Sequence, residues 1–288
     1  MFETIKIGGR DCYIGIGGGC RTDEGGGSCR IKKVAESCRT DEDGARENLG
    51  RDDAGGQKSS LRPGYLLIQP VSKNREESLE SELALITELA GGDAAPCFVL
   101  AAFPVADWNA DLTPWEAPPA FGDESFGSGA PETLLFIQEE LIPAVLDRYF
   151  GMSATPDESF RRPDIFIGGY SLAGLFALWA SIFIGFDGVA AVSPSVWYPG
   201  WMEFAESHDT FAEIVYLSLG DREERSRNPV MAAVGDNIRR QAALLEASEN
   251  CEACILEWNA GGHFAEPDLR TAKGFAWLLR EKEDLKEE

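Results

Sequence analysis

The sequence predicts an α/β fold: a mainly parallel central sheet with helices on both faces, entered through an N-terminal β-hairpin that carries a flexible insertion. Three observations predict it. From residue 64 onward, short apolar runs such as CFVLAAF (97–103) and GVAAV (188–192) alternate with longer helix-like segments. Those runs are apolar at both parities, so neither face of the strand meets water, as in a parallel sheet covered on both sides. Finally, 288 residues that are 44% hydrophobic can build one large core, so 1–288 reads as a single domain.

The elements follow in order. ETIKI and CYIGI are two short strands that open the chain. Residues 17–62 then change character: they are rich in Gly, Arg and Asp, lack periodic apolar positions, and repeat the pentapeptide CRTDE at 20 and 38. Too little apolar surface is available there to offset the entropy of ordering, so the segment reads as a flexible insertion. GYLLIQP is a strand. ESLESELALITELA is an amphipathic helix, with Leu79, Leu83 and Ile86 on one face. CFVLAAF is a buried strand, and PETLLFIQEELIPAVLDRYF is one long helix with proline in its first turn. Next come DIFIGGY (strand), LAGLFALWASIF (helix) and GVAAVSPS (strand and loop). AEIVYLSLG (strand), NPVMAAVGDNIRRQAALLEAS (helix), ACILEWN (strand) and DLRTAKGFAWLLREKEDL (helix) complete the set.

Charge and cysteine usage exclude several classes. The formal net charge of −23 repels phosphate backbones and anionic lipid, so neither nucleic acid nor a membrane surface is expected as a partner. No run of eighteen apolar residues exists, and the first residues lack a basic stretch leading into an apolar one. Seven cysteines in such a chain read as reduced thiols of a cytoplasmic protein. Cys20, Cys29 and Cys38 are spaced nine apart, and Cys251 and Cys254 form a lone C-x-x-C; neither pattern specifies a metal site. No metal or cofactor is expected.

Ser171 stands in G-G-Y-S-L-A-G, between a buried strand and a helix. That setting is a nucleophile elbow, in which a strained turn lifts the hydroxyl clear of the sheet. The strand and helix backbones pass close together there, so the positions two before and two after must be small, and Gly169 and Ala173 fill them. A serine nucleophile needs a base. Of the two histidines, His208 lies in a polar stretch, MEFAESHDTF, and reads as a surface residue. His263 follows the last strand in NAGGHF, where flanking glycines let a loop return over the sheet edge. The acid should precede it, after the penultimate strand, where LSLGDREERSRNP offers Asp221, Glu223 and Glu224.

With GGYSLAGLFAL, SPSVWYPGW, YLSLGDREE and NAGGHF in place, the chain resembles the esterase family of α/β-hydrolases over roughly residues 62–282. That family includes enterochelin esterases, feruloyl esterases, S-formylglutathione hydrolases and mycolyltransferases. The resemblance implies the α/β-hydrolase fold and a serine esterase acting on a small-molecule ester. It implies Ser171 as nucleophile, His263 as base and Glu223, three residues after Gly220, as acid, with Asp221 the alternative. It also implies an oxyanion hole built from the Leu172 amide and one from the loop after CFVLAAF; Pro104 has no N–H, which leaves Phe103 or Val105. Trp108 and Trp197 follow strand ends and, with Tyr170, are expected to line the substrate pocket. Two other readings remain open at this stage: an acyltransferase using the same acyl-enzyme, and an inert binding protein on the same scaffold.

Overall fold

The computed structural model describes residues 2–19, 63–73, 76–120, 122–152 and 162–287. The greater part of the expected insertion, 20–62, lies outside them. One eight-stranded sheet organises the rest, in the order β1-β2-β4-β3-β5-β6-β7-β8. The strands are β1 (Glu3–Ile7), β2 (Arg10–Gly17), β3 (Tyr65–Val71), β4 (Phe98–Pro104), β5 (Asp164–Tyr170), β6 (Gly188–Val192), β7 (Ile214–Gly220) and β8 (Ala253–Asn259). The β1–β2 hairpin is antiparallel and β2 joins β4 antiparallel. Every other pairing is parallel.

The helices in chain order are α1 (Glu76–Leu89), α2 (Trp108–Asp111), α3 (Ala130–Phe136), α4 (Ile142–Val145), α5 (Leu172–Ala180), α6 (Trp201–Ala205), α7 (Pro229–Ala232), α8 (Val234–Glu246) and α9 (Pro267–Glu287). One face of the sheet packs on α1 and α9 through Leu83, Ile86, Phe275 and Leu279. The other packs on α3 to α6 and α8, with Leu134, Phe176, Trp201 and Ile238 in the core. β3, β6 and β7 are buried along their whole length, which explains their unbroken apolar sequence.

Two helices depart from the expected regularity. Residues 130–150 form a continuous helix, but π-helical Ile137–Leu141 and Leu146–Phe150 alternate with α3 and α4. Pro143 cannot donate to a carbonyl one turn back, and the π-turn just before it absorbs the missing bond. The segment 228–248 breaks at Ala233 into α7 and α8. Asn228 caps α7 through its side chain on the Val230 N–H, with Pro229 at the first helical position. Cys12, Cys251 and Cys254 are free thiols, whereas Cys97 is disulfide-bonded, so the expectation of reduced cysteines does not hold at that position. Among the described residues no helix is long and apolar enough to cross a membrane.

Two prolines open the sheet at its carboxyl end. Pairing of β3 with β5 stops at Ile68–Ile167, and pairing of β2 with β4 stops at Tyr13–Ala102. Val105 donates its N–H to the Val71 carbonyl across the β3–β4 seam. By strand alternation, Pro70 therefore faces the β5 side and Pro104 the β2 side, each beyond the last rung there. Proline is tolerated because no ladder bond is due at either place. The strand order also reverses between β3 and β5, and such a switch point leaves a crevice outside the strand ends.

Candidate active site

Ser171 occupies that crevice, between the end of β5 and the start of α5. Its backbone lies at φ 61°, ψ −118°, a conformation an L-residue adopts only under constraint. The constraint is visible: its N–H donates to the Val192 carbonyl, and its carbonyl accepts from the Leu175 and Ser195 amides. A Cβ on Gly169 would come within 2.5 Å of the Ala173 Cβ, so the steric demand read from the sequence is real.

The histidine and the carboxylate arrive from the ends of β8 and β7. His263 Nε2 lies 3.0 Å from the Ser171 hydroxyl, and its Nδ1 lies 2.7 Å from Glu223 Oε2. A carboxylate only accepts, so Nδ1 carries the proton and Nε2 accepts from the serine. The three candidate carboxylates separate cleanly. Glu223 is buried and meets the imidazole. Asp221 accepts the Gly261 N–H at 2.8 Å and so fastens the histidine loop by its backbone. Glu224 pairs with Arg239 on the surface.

Glu223 is held from behind by groups that the sequence reading passed over. Its Oε1 accepts from the Ser193 hydroxyl and the Gly220 N–H, both at 2.8 Å, and from Arg270 Nη1 at 3.3 Å. Arg270 is 1% exposed although it sits in the terminal helix. It also reaches the Tyr170 hydroxyl at 3.2 Å and the Ala260 carbonyl at 2.9 Å. A buried guanidinium opposite a buried carboxylate leaves neither charge uncompensated. Ser193 has φ 42°, and Ser195, fully buried, brings its hydroxyl 3.3 Å from that of Ser171. The available signals were the repeated serine of SPS and the phase of Arg270 on the α9 stripe that buries Gly274 and Leu278.

The expected pocket residues fare differently. Tyr170 donates its hydroxyl to the His263 carbonyl at 2.5 Å, so it braces the histidine loop, and burial raises its pKa above the ordinary phenol value. Trp197 is only 8% exposed and packs on Phe126, which makes it a packing residue of its loop, not an open pocket wall. Trp108 begins α2 and is half-buried against the core.

The oxyanion expectation divides in the same way. Leu172 is the first residue of α5, so its N–H has no intrahelical acceptor and stands beside the serine. The loop after β4 has no amide to offer at 103–107. Phe103 shares the phase of Val105, so its N–H points into the β3 ladder, and Val105 is bonded to Val71. Ala106 and Asp107 donate to Asp111 Oδ2. The expectation of Phe103 fails because β3, and not β4, is the neighbour of β5.

The sequence matches no known family profile and no curated protein. Solved structures do match. A siderophore hydrolase, EstA, from Aspergillus nidulans is 21% identical with a TM-score of 0.62, over 77% of this chain and 84% of that one. An IroE-like serine hydrolase from Shewanella oneidensis is 15% identical with a TM-score of 0.66, over 98% and 81% of the two chains. EstB, a second Aspergillus nidulans siderophore hydrolase, is 16% identical with a TM-score of 0.62, over 98% and 95%. The fold is thus that of α/β serine hydrolases.

Proposed function

We propose that the chain is a serine esterase that cleaves carboxylic esters through an acyl-enzyme on Ser171. The observation that carries this reading is the unbroken line from Ser171 through His263 to Glu223, at 3.0 and 2.7 Å. Ser171 Oγ attacks the ester carbonyl while its proton passes to His263 Nε2. Buried Glu223, fixed by Ser193, Gly220 and Arg270, stabilises the imidazolium that forms. The developing oxyanion takes the Leu172 N–H and, from the loop that follows β3, the N–H of Ser72, which the strand's alternation turns toward β5. His263 then gives its proton to the oxygen of the departing alcohol. Water attacks the acyl-enzyme with His263 as base, and the carboxylic acid leaves as Ser171 regains its proton.

The test is hydrolysis of p-nitrophenyl acetate, butyrate and octanoate by the wild type, Ser171→Ala and His263→Ala, alongside fluorophosphonate labelling. Turnover lost in both variants, with labelling of wild type only at Ser171, upholds the reading. An unlabelled and inactive wild type would refute it. The siderophore hydrolases that share the fold make siderophore esters the natural class to try next.

A further inference from the structure

We infer that Phe264 is a specificity-determining residue that receives a planar aromatic leaving alcohol; the inference rests on the esterase reading above. Among the described large apolar residues Phe264 is 91% exposed, whereas the next, Phe211, is 56% exposed. This exposure does not come from a slack loop. Around Phe264 the backbone is tied at Ala260 by Arg270, at Gly261 by Asp221 and the Arg222 amide, and at His263 by Tyr170. The Ala265 N–H closes a turn onto the Gly262 carbonyl, and Glu266 follows at φ 49°. The loop therefore holds the phenyl ring outward.

What it faces follows from its neighbour. The imidazole of His263 has two aromatic rings beside it, that of Tyr170 at 5.3 Å and that of Phe264 at 5.2 Å. Tyr170 is half-buried and its hydroxyl is used; Phe264 makes a T-shaped contact with the imidazole, at 82°, and is otherwise open to solvent. In ester cleavage His263 Nε2 must hand its proton to the alcohol oxygen as the carbon–oxygen bond breaks, so the alcohol, not the acyl chain, lies against the histidine. A ring one residue further along is then placed to take the body of that alcohol. Aromatic rings pair by offset or edge contacts at 4.5–7 Å between centroids, which favours a planar aryl group over a small alkyl one.

The experiment compares kcat/KM for 2-naphthyl, phenyl and ethyl acetate, which share one acyl group, in wild type, Phe264→Ala, Phe264→Trp and Phe211→Ala. The quantity read is the aryl-to-ethyl ratio in each protein, which cancels a general loss of activity. Phe264→Ala should lower the ratio roughly three- to tenfold, the size of one aromatic contact. Phe264→Trp should keep the ratio, and Phe211→Ala, at the opposite end of the sheet, should not change it. An unchanged ratio in Phe264→Ala overturns the inference. Wild type that neither turns over the three esters nor labels with fluorophosphonate removes the esterase reading itself, and this inference with it.

Discussion

Replacing Arg270 with methionine removes one partner of a buried ion pair and keeps much of the volume. The side chains of Arg270 and Glu223 are 2% and 5% exposed. Loss of one partner of such a pair costs about 3–5 kcal/mol, because the other charge is left without compensation. Glu223 would keep Ser193, the Gly220 amide and His263, which puts the expected loss at the low end, about 3 kcal/mol. For a chain of this size that is a fall in Tm of about 6–12 °C. The internal control is Arg239→Met. Arg239 pairs with Glu224 at 2.9 Å, but the two side chains are 48% and 35% exposed, and surface pairs are worth about 0–1 kcal/mol. Urea titration and calorimetry of both variants give the comparison. Losses that agree within about 1 kcal/mol would refute the claim that burial, and not mere pairing, makes Arg270 matter.

Further outcomes are expected. Ser193→Ala removes a hydroxyl bonded to the Glu223 carboxylate at 2.8 Å and should lower kcat about tenfold with little change in KM, the scale of one charged hydrogen bond; an effect on KM alone would contradict the positioning role. Gly169→Ala forces a Cβ against Ala173 and should cost about 1–3 kcal/mol in a urea titration; a neutral result would mean the elbow is looser than drawn. Burial pushes the Cys12 and Cys251 thiols up to about 11 and Cys254 up to about 12. A raised thiol pKa means the folded chain holds its protons longer than the unfolded one. That contribution is whole below about pH 9 and is lost as pH rises through about 11 to 12, so the urea midpoint should fall between pH 7.5 and 10.5. A flat midpoint over that range would contradict it.

Much of the fold was legible because apolar strands and amphipathic helices alternate with clear punctuation. The elbow could be read too: Gly169 and Ala173 announce a close approach that the structure contains. Strand order was less accessible. The chain places β4 after β3, and nothing in CFVLAAF says that β3 lies beside β5, so the oxyanion expectation fell on Phe103, one strand too far away. Long-range polar contacts were also hidden. Arg270 joins Glu223 across 47 residues, and although its phase on the α9 stripe marks it as inward-facing, nothing in the sequence names its partner. Trp197 misled for a related reason: a tryptophan after a strand end fits a pocket and a packed loop equally well, and Phe126, which settles the matter, is 71 positions away.

The described non-glycine residues with positive φ are Ser171, Ser193 and Glu266, and all three stand around the crevice. Their torsions oppose folding, so the molecule is least relaxed where its chemistry would occur. Selection for heat resistance alone should therefore erode this region first. Ser171→Gly, which relieves φ 61° while removing the hydroxyl, is expected to unfold at a higher temperature than Ser171→Ala. Durability and reactivity pull in opposite directions at one peptide unit, and a lineage that no longer needed the hydroxyl would be expected to lose the strained turn as well.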